Sequence, residues 1–296
     1  MKAEPLLRGL EIGDVEGYRN LSFVRVYGPD KFRESVLTLD EAFETNRGET
    51  TGFSVRESGN VPELIVQNDL DMMVFIALGM ILEGESQNRA AQYPLQVPGH
   101  SGEIHIPVRC AERHQPLEHG TRFVSTTTIL IASARTGRTE QNHTWNTISD
   151  ATTVISRKNK TDDYVTAVKE ADLSDYAGVF GKPRKDQLGY IAAIQNNGHI
   201  FYYADILGNH ELYKKLGERL HESVGAVAKQ GKGNSRVERN AFLSFYDSAK
   251  PSELREVTLN RLEGNVFVAD SPIAVSALLC KESPVQVSLR KDNYTS

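Results

Sequence analysis

The stretch from Gly189 to Leu207, GYIAAIQNNGHIFYYADIL, decides the fold class because it holds two apolar runs joined by one polar turn. Asn197-Gly198 at its centre is the dipeptide that most strongly favours a two-residue hairpin turn, since both positions of that turn need a positive φ. The segment that follows has apolar residues at steps of four, the stripe of an amphipathic helix: Leu212, Leu216, Leu220 and Val224. The sequence therefore predicts a β-hairpin followed by a helix.

This alternation of helix and hairpin extends through the second half of the chain. Residues 139–157, TEQNHTWNTISDATTVISR, predict a helix with four apolar residues on roughly one face: Trp145, Ile148, Val154 and Ile155. Near the C-terminus, RLEGNVFVADSPIAVSALLC predicts another hairpin, whose turn is Asp270-Ser271-Pro272. Residues 136–296 therefore read as alternating helices and β-hairpins.

The first 135 residues are dominated by strand patterns with short turns. In YRNLSFVRVYG, alternate apolar residues predict a strand that is covered on both faces: Leu21 and Phe23 on one side, Val24 and Val26 on the other. Turns in ESGNVP and VPGHSGE are each flanked by candidate strands, and STTTILIASA adds one more. The prediction is an α+β fold: one domain over 1–296, subdivided into a β-rich part at 1–135 (antiparallel sheet or sandwich) and a helix and hairpin part at 136–296.

Composition narrows the classes of partner and compartment. Lys and Arg total 34 against 39 Asp and Glu, a formal net charge of -5, which disfavours nucleic acid and anionic membranes as partners. The two cysteines are far apart, and the longest apolar run, Met72 to Leu82, is well short of the ~20 residues that span a bilayer. Because the N-terminal residues also lack a signal-peptide pattern, we expect a cytoplasmic protein with no membrane segment.

The candidate site begins at Gln87-Asn88-Arg89. Both amides can donate and accept hydrogen bonds, and the planar guanidinium of Arg89 suits a phosphate or carboxylate, so the triplet fits a sugar, nucleotide or other phosphorylated ligand. The alternative is structural: Asn and Gln side chains commonly cap backbone groups of an irregular turn between strands.

A second polar row follows in VRCAERH, where Cys110, Glu112 and His114 occupy alternate positions. On a continued strand they would share one face, which permits a metal site or a thiol activated by an imidazole. Side chains two residues apart on a strand lie about 6.5 to 7 Å from each other, so a metal ion would also need His105 or His119 as a ligand. A buried, unreactive Cys110 is the simpler interpretation. The chain has no Walker or Rossmann glycine motif and no paired zinc signature, so we assign neither metal nor cofactor.

Taken in order, several stretches resemble the ARG and Rhodanese-Phosphatase-superfamily-associated Protein domain family: LTLDEAF, NVPELIVQN, EGESQNRA, VPGHSGEIHIPVRCAER, GYIAAIQNNGHIFYYADIL and LEGNVFV. The resemblance spans nearly the whole chain. It implies a place in ADP-ribose or NAD-linked metabolism, with ADP-ribosylglycohydrolase-type or phosphatase-type proteins as partners. The polar positions that it carries over are Gln87, Asn88, Arg89, Cys110 and Glu112.

One departure from the family concerns the turn before the triplet. Where many members have Asp-Gly-Glu-Glu, this chain has Leu78, Gly79, Met80 and Ile81. If those carboxylates are catalytic in the family, this chain has lost activity or uses Glu83 and Glu85 in their place.

Two hypotheses follow for the function. In the first, the site binds or processes an ADP-ribose-like or other phosphorylated ligand: Arg89 neutralises phosphate, Gln87 and Asn88 orient the sugar, and Glu112, with Cys110 as a further catalytic candidate, supplies the acid or base. In the second, the protein is a non-catalytic interaction or scaffold module whose β-rich half offers a sheet edge to partner proteins.

Overall fold

A computed structural model describes residues 1–45, 52–84, 87–112, 122–125, 128–135, 141–155, 163–234 and 236–291. Over these residues the protein has the predicted α+β fold. The helices are α1 (Glu4–Leu7), α2 (Leu39–Thr45), α3 (Ala132–Arg135), α4 (Gln141–Ile155), α5 (Tyr164–Glu170), α6 (Ser174–Ala177), α7 (His210–Gln230) and α8 (Arg239–Ala249).

The strands fall into three sheets. The first nine are β1 (Glu11–Tyr18), β2 (Leu21–Tyr27), β3 (Leu37–Thr38), β4 (Phe53–Glu57), β5 (Glu63–Asn68), β6 (Val74–Ile76), β7 (Ile81–Gly84), β8 (Arg89–Ala91) and β9 (Leu95–Val97). The others are β10 (Glu103–Cys110), β11 (Arg122–Ser125), β12 (Gln187–Asn196), β13 (His199–Leu207), β14 (Arg255–Val257), β15 (Asn265–Ala269), β16 (Ala274–Cys280) and β17 (Ser283–Lys291).

The large sheet is antiparallel, with the order β1-β2-β12-β13-β17-β16-β15-β14. The stretch from Gly189 to Leu207 forms the central hairpin of this sheet. Asn196 pairs with His199, and Asn197 and Gly198 have φ angles of 50° and 84°. The predicted C-terminal hairpin forms too, as β15 and β16. Strand β2 pairs with β1 on one side and with β12 on the other, so residues from both predicted subdivisions share this sheet. The division at residue 135 stays a prediction.

Six strands of the β-rich half close into a barrel, in the order β10-β5-β4-β11-β7-β8. The sequence predicted antiparallel pairing here but did not distinguish a barrel from a sheet or sandwich. Closure matters because a barrel has no free edge, and because side chains inside it can reach strands that are not their neighbours. Strands β3, β6 and β9 form a separate small sheet.

The strands predicted on either side of the VPGHSGE turn form as β9 and β10, and they belong to different sheets: β9 joins β6, while β10 joins β5 and β8. Two local predictions were wrong. STTTILIASA is not one strand: β11 ends at Ser125, and α3 begins at Ala132, with Ala134 packed in the cluster that includes α4 and α5. In α4, Val154 is exposed, because the buried face is instead built from Thr144, Ile148, Ala151, Thr152 and Ile155.

Two apolar layers cover the large sheet. Leu21 and Phe23 of β2 pack in the layer that α7 covers, and Val24 and Val26 pack in the layer that contains α1 and α8, as the alternation predicted. A third cluster joins α3, α4 and α5 to the barrel through Ile81, Ala90, Ala111, Ile148 and Tyr164. This third cluster fixes the helices that approach the candidate site.

Candidate functional site

An ion pair lies inside the barrel. The Nε atom of Arg89 donates to Glu57 Oε1 at 3.0 Å and its Nη2 donates to Glu57 Oε2 at 3.3 Å. Both residues have no exposed surface. Because β8 and β4 are not neighbours in the barrel, the contact crosses the barrel interior. The carboxylate of Glu57 therefore neutralises the guanidinium that the sequence analysis offered to a phosphate.

Cys110 belongs to this internal cluster. Its Sγ atom is in contact with Arg89 Nη1, and burial raises the pKa of the thiol, which opposes formation of a nucleophilic thiolate. The amide of Gln141 holds the backbone on both sides, accepting from Cys110 N and donating to Cys110 O at 2.9 Å each. Arg89 and Cys110 are adjacent because they are directly paired residues of β8 and β10.

Glu112 lies in a different environment, between the barrel and α4. Its Oε1 accepts from Asn88 Nδ2, and its backbone carbonyl accepts from Gln87 Nε2 and from Trp145 Nε1, both at 3.0 Å. We call Gln87, Asn88, Glu112, Trp145 and Asp163 the Glu112 cluster. Gln87 caps a backbone carbonyl here, which is the contact that the structural alternative describes, whereas Asn88 orients the carboxyl group.

The surroundings of Glu112 shift the pKa of its carboxyl group. Burial, and then the nearby carboxylate of Asp163, raise the pKa of Glu112 to about 7. Asp163 is fixed at the N-terminus of α5, where its Oδ1 accepts from Val165 N and Thr166 N at 3.0 and 3.2 Å. Two carboxyl groups that share one region favour a single bound proton, so Glu112 can give or take a proton near neutral pH.

The sequence analysis missed three residues that define these two clusters. Glu57 is the last residue of an ordinary alternating strand, and Gln141 is one of several polar residues that begin α4. Asp163 carried a local signal, because an Asp before a helix is a typical N-cap, but nothing in the sequence connected it with Glu112. His114, His119 and Glu85 lie outside the described residues. Leu78 to Ile81 are buried, and Glu83 binds Lys169 at 2.9 Å.

A cavity of about 750 Å³ lies at the other end of α5, against α7. Three lysines and three carboxylates of its lining carry the charge: Lys169, Lys182, Lys214, Asp172, Glu218 and Glu222. Its walls are otherwise mostly apolar, with Val168, Leu173 and Pro183 among them. The volume is in the range of sites for nucleotide-sized ligands.

His221 forms part of the wall of this cavity and is held by a chain of hydrogen bonds. Gln187 Oε1 accepts from Arg25 Nη1 at 3.2 Å, which directs Gln187 Nε2 to donate to the hydroxyl of Tyr213 at 3.0 Å. Tyr213 therefore donates its own proton to His221 Nε2, at 2.8 Å. Burial lowers the pKa of His221 to about 3, so the ring is a neutral packing residue, stacked on Phe180.

No group of three or more His, Cys, Asp or Glu side chains within the described ranges is placed to hold a metal ion. In the same ranges, no helix has both the length and the apolar character needed to cross a bilayer.

Comparisons with known proteins give one match. No curated protein and no solved structure matches the chain. The family model of the ARG and Rhodanese-Phosphatase-superfamily-associated Protein domain matches residues 9–290. The match covers almost all of the sequence, including the barrel, the large sheet and both ends of α5. The chain belongs to the ARG and Rhodanese-Phosphatase-superfamily-associated Protein domain family.

Proposed function

We propose that the Glu112 cluster is an acid–base site for an uncharged, hydroxyl-rich part of a ligand, with the ribose of an ADP-ribose-like or NAD-like compound as the specific case. The observation that carries the proposal is the Glu112 carboxyl group, oriented by Asn88 and placed beside Asp163, with a pKa of about 7. A group that titrates close to the working pH is the most effective general acid or base. The family name gives the ADP-ribose context.

Residues of the cluster take distinct roles in this proposal. Glu112 transfers the proton, Asn88 orients its carboxyl group, and Trp145, which is only partly buried, offers an aromatic surface to a sugar or base. Gln87 holds the backbone of Glu112 in place. Arg89 and Cys110 support the site from inside the barrel, because the charge of Arg89 is already satisfied by Glu57.

A second candidate function is binding of a phosphorylated ligand, without chemistry, in the cavity between α5 and α7. The observation that favours it is the set of lysines along the cavity. Lys169 and Lys214 are bound to glutamates, whereas Lys182 is exposed and has no partner among the described residues. Lys182 is therefore available to a phosphate. The two candidates use opposite ends of α5: the uncharged part of a ligand binds beside Asp163 at its start, or a phosphate binds in the cavity at its end.

The alternative of an interaction module has less support from the geometry. That alternative needs an open sheet edge in the β-rich half, whereas six strands of that half are closed into the barrel. The outer strand of the large sheet, β1, is also partly covered: Arg239 donates to the carbonyls of Ile12 and Gly13 at 2.7 and 3.2 Å. Side chains that occupy edge carbonyls oppose the addition of another strand.

The test is a thermal-shift titration of purified protein with ADP-ribose, NAD, ribose 5-phosphate and adenosine, combined with chromatography of each mixture for products. A ligand that binds only the native state raises its stability by mass action, by about 2.7 kcal/mol at a hundredfold excess over Kd. We expect a shift that is lost in Glu112→Gln and kept in Glu103→Gln, an exposed glutamate of β10 that serves as the matched control.

Each outcome separates the candidates. A shift that survives Glu112→Gln but is lost in Lys182→Ala would replace the acid–base proposal with phosphate binding in the cavity. Because Glu57 neutralises Arg89, a phosphate group gains no partner at the Glu112 cluster. Glu112→Gln should therefore abolish the thermal shift with adenosine and with the phosphorylated compounds to the same extent. The absence of any shift or product with all four compounds at millimolar concentration would reject both candidates.

A further inference from the structure

A buried imidazole in the wall of the cavity between α5 and α7 carries its proton at a fixed position. Arg25 Nη1 and Arg184 N both donate to Gln187 Oε1, at 3.2 and 2.9 Å. The other amide atom, Gln187 Nε2, therefore donates to the hydroxyl of Tyr213, which in turn donates to His221 Nε2. Burial keeps the ring neutral, with a pKa of about 3, so its single proton lies on Nδ1. His221 thus has a neutral N–H donor at the nitrogen that Tyr213 does not reach.

This donor has no acceptor within the described residues. The hydrogen bond from Tyr213 takes up Nε2, and no described group accepts from Nδ1, although His221 is only 3 % exposed. Phe180 stacks on the ring with centroids 4.1 Å apart, and Tyr190 and Tyr213 meet it edge-on. These contacts prevent the ring from turning toward another partner. Because a buried donor without an acceptor is costly and His221 lines the cavity, an occupant of the cavity is the expected acceptor.

An acceptor without a partner lies beside this donor. Glu222 follows His221 on α7, lines the same cavity and is half-buried. Its carboxylate has no hydrogen bond to any described residue. Burial and the charge of Glu218 raise its pKa, and Arg219, the cation that opposes them, is bound to Asp40. A fixed donor beside an open acceptor complements a ligand group in which a hydrogen-bond acceptor adjoins an N–H, and the edge of a nucleobase has this arrangement.

We propose that this cavity binds a nucleotide, with the base against His221 and Glu222 and the phosphate at Lys182. His221 donates to a carbonyl oxygen or ring nitrogen of the base, and Glu222 accepts from the adjacent N–H. A neutral imidazole has no charge to attract a phosphate, whereas Lys182 is exposed and unpaired within the described residues. The cavity, at about 750 Å³, has room for a base, a sugar and a phosphate. This inference rests on the second candidate function and names the class of its ligand.

The test is isothermal titration calorimetry of the full-length protein with adenosine 5′-monophosphate, guanosine 5′-monophosphate and ribose 5-phosphate, which has the sugar and phosphate but no base. We expect at least one nucleotide to bind about tenfold more tightly than ribose 5-phosphate, since the base adds two hydrogen bonds. Lys182→Ala should weaken the binding of all three compounds, because the phosphate is common to them.

Variants of His221 separate the donor from the packing of the ring. His221→Gln keeps an acceptor for the hydroxyl of Tyr213 but has no donor at the position of Nδ1, so it should weaken nucleotide binding about fivefold and leave ribose 5-phosphate unchanged. His221→Asn places an amide nitrogen near that position and should recover part of the affinity. The control is His199→Gln, at an exposed histidine of β13 that does not line the cavity, and it should bind all three compounds as the wild type does.

Several outcomes would overturn the inference. Equal binding of the nucleotides and ribose 5-phosphate, weakened in Lys182→Ala, would reject the base site while the second candidate function stands, and so would nucleotide binding that is unchanged in His221→Gln. No binding of any compound, or binding that Lys182→Ala leaves unaffected, would reject both. A further measurement uses the wild-type protein alone: ¹⁵N spectra of the His221 ring should show Nδ1 protonated, with a resonance that moves when nucleotide is added. A protonated Nε2 would overturn the inference.

Discussion

Asn88 and Arg89 are consecutive residues in two different environments. Arg89 points into the barrel and is matched by one carboxylate, Glu57, so its charge is balanced. Asn88 instead binds Glu112, where two carboxyl groups lie together with no described cation at hydrogen-bonding distance of Glu112. The charges of the Arg89–Glu57 pair balance and the pair is fully buried. The Glu112 cluster holds an excess of negative charge, and Glu112 keeps a proton near neutral pH.

The difference shows how one polar motif can divide between stability and chemistry. Arg89 is the first residue of β8, whereas Gln87 and Asn88 precede the strand, so the three polar residues do not share one surface. Arg89, inside the barrel, must find its counter-charge there. Gln87 and Asn88 instead meet Glu112 beside α4 and the start of α5.

The largest expected effect is at the buried ion pair. Arg89→Met leaves the carboxylate of Glu57 buried without a counter-charge, and breaking a buried pair in this way costs about 3–5 kcal/mol of unfolding free energy. The double variant Glu57→Leu with Arg89→Met removes both charges and should recover most of the loss. Urea unfolding at pH 7.5 measures both values.

The matched control is Arg56→Met, one residue from Glu57 on β4. Its partner is Glu103, and both side chains are about one-third exposed or more, so the pair contributes about 0–1 kcal/mol. Equal losses of unfolding free energy in Arg56→Met and Arg89→Met would contradict the assignment of Arg89 to a buried, charge-balanced ion pair.

The next effect is a pH dependence that belongs to Glu112. Its pKa is about 7 in the folded protein, against an ordinary value of 4.5. Between these two values the unfolded chain releases the proton while the folded protein keeps it, so the unfolded state binds fewer protons and stability falls as pH rises. Below pH 4.5 the stabilising contribution is fully present, and above pH 7 it is lost. The loss is at most about 3 kcal/mol.

Glu112→Gln removes this proton equilibrium. The difference in unfolding free energy between wild type and Glu112→Gln should therefore change between pH 4.5 and 7 and be flat on either side. Urea unfolding of both proteins at half-unit steps of pH measures it. A difference that stays constant from pH 4 to 8 would show that Glu112 titrates like an ordinary exposed glutamate.

Sequence patterns predicted the secondary structure better than they predicted the site, for a physical reason. The hairpin at Asn197-Gly198 and the stripe from Leu212 to Val224 depend on local backbone preference and on one buried face, both of which are visible in a short window.

The partners of the motif depend on closure and on distant helices. Glu57 is 32 residues from Arg89, and it meets that arginine only because six strands form a barrel. Asp163 and Trp145 reach Glu112 through the packing of α4 and α5 on the barrel, which no pattern near Glu112 encodes. The residue types of the motif were therefore visible in the sequence, whereas the division of the motif into two clusters was not.

The smallest change in stability is expected at Asp163. Asp163→Ala removes both the cap of α5 and the negative charge beside Glu112, at a typical cost of about 1 kcal/mol for the cap. Asp163→Asn keeps an oxygen that can cap the helix but removes the charge. We expect Asp163→Asn to be close to wild type in stability, while the pKa of Glu112, followed by carboxyl ¹³C chemical shifts, falls in both variants.

The two variants together test whether burial or the neighbouring carboxylate controls the proton on Glu112. Burial is the larger cause, so the pKa of Glu112 should stay above its ordinary value even without the charge of Asp163. A pKa that does not move in either variant would mean that the two carboxyl groups are independent, and Glu112 would then have to act alone. A pKa that returns fully to its ordinary value would instead make Asp163 an equal member of the proton-transfer site.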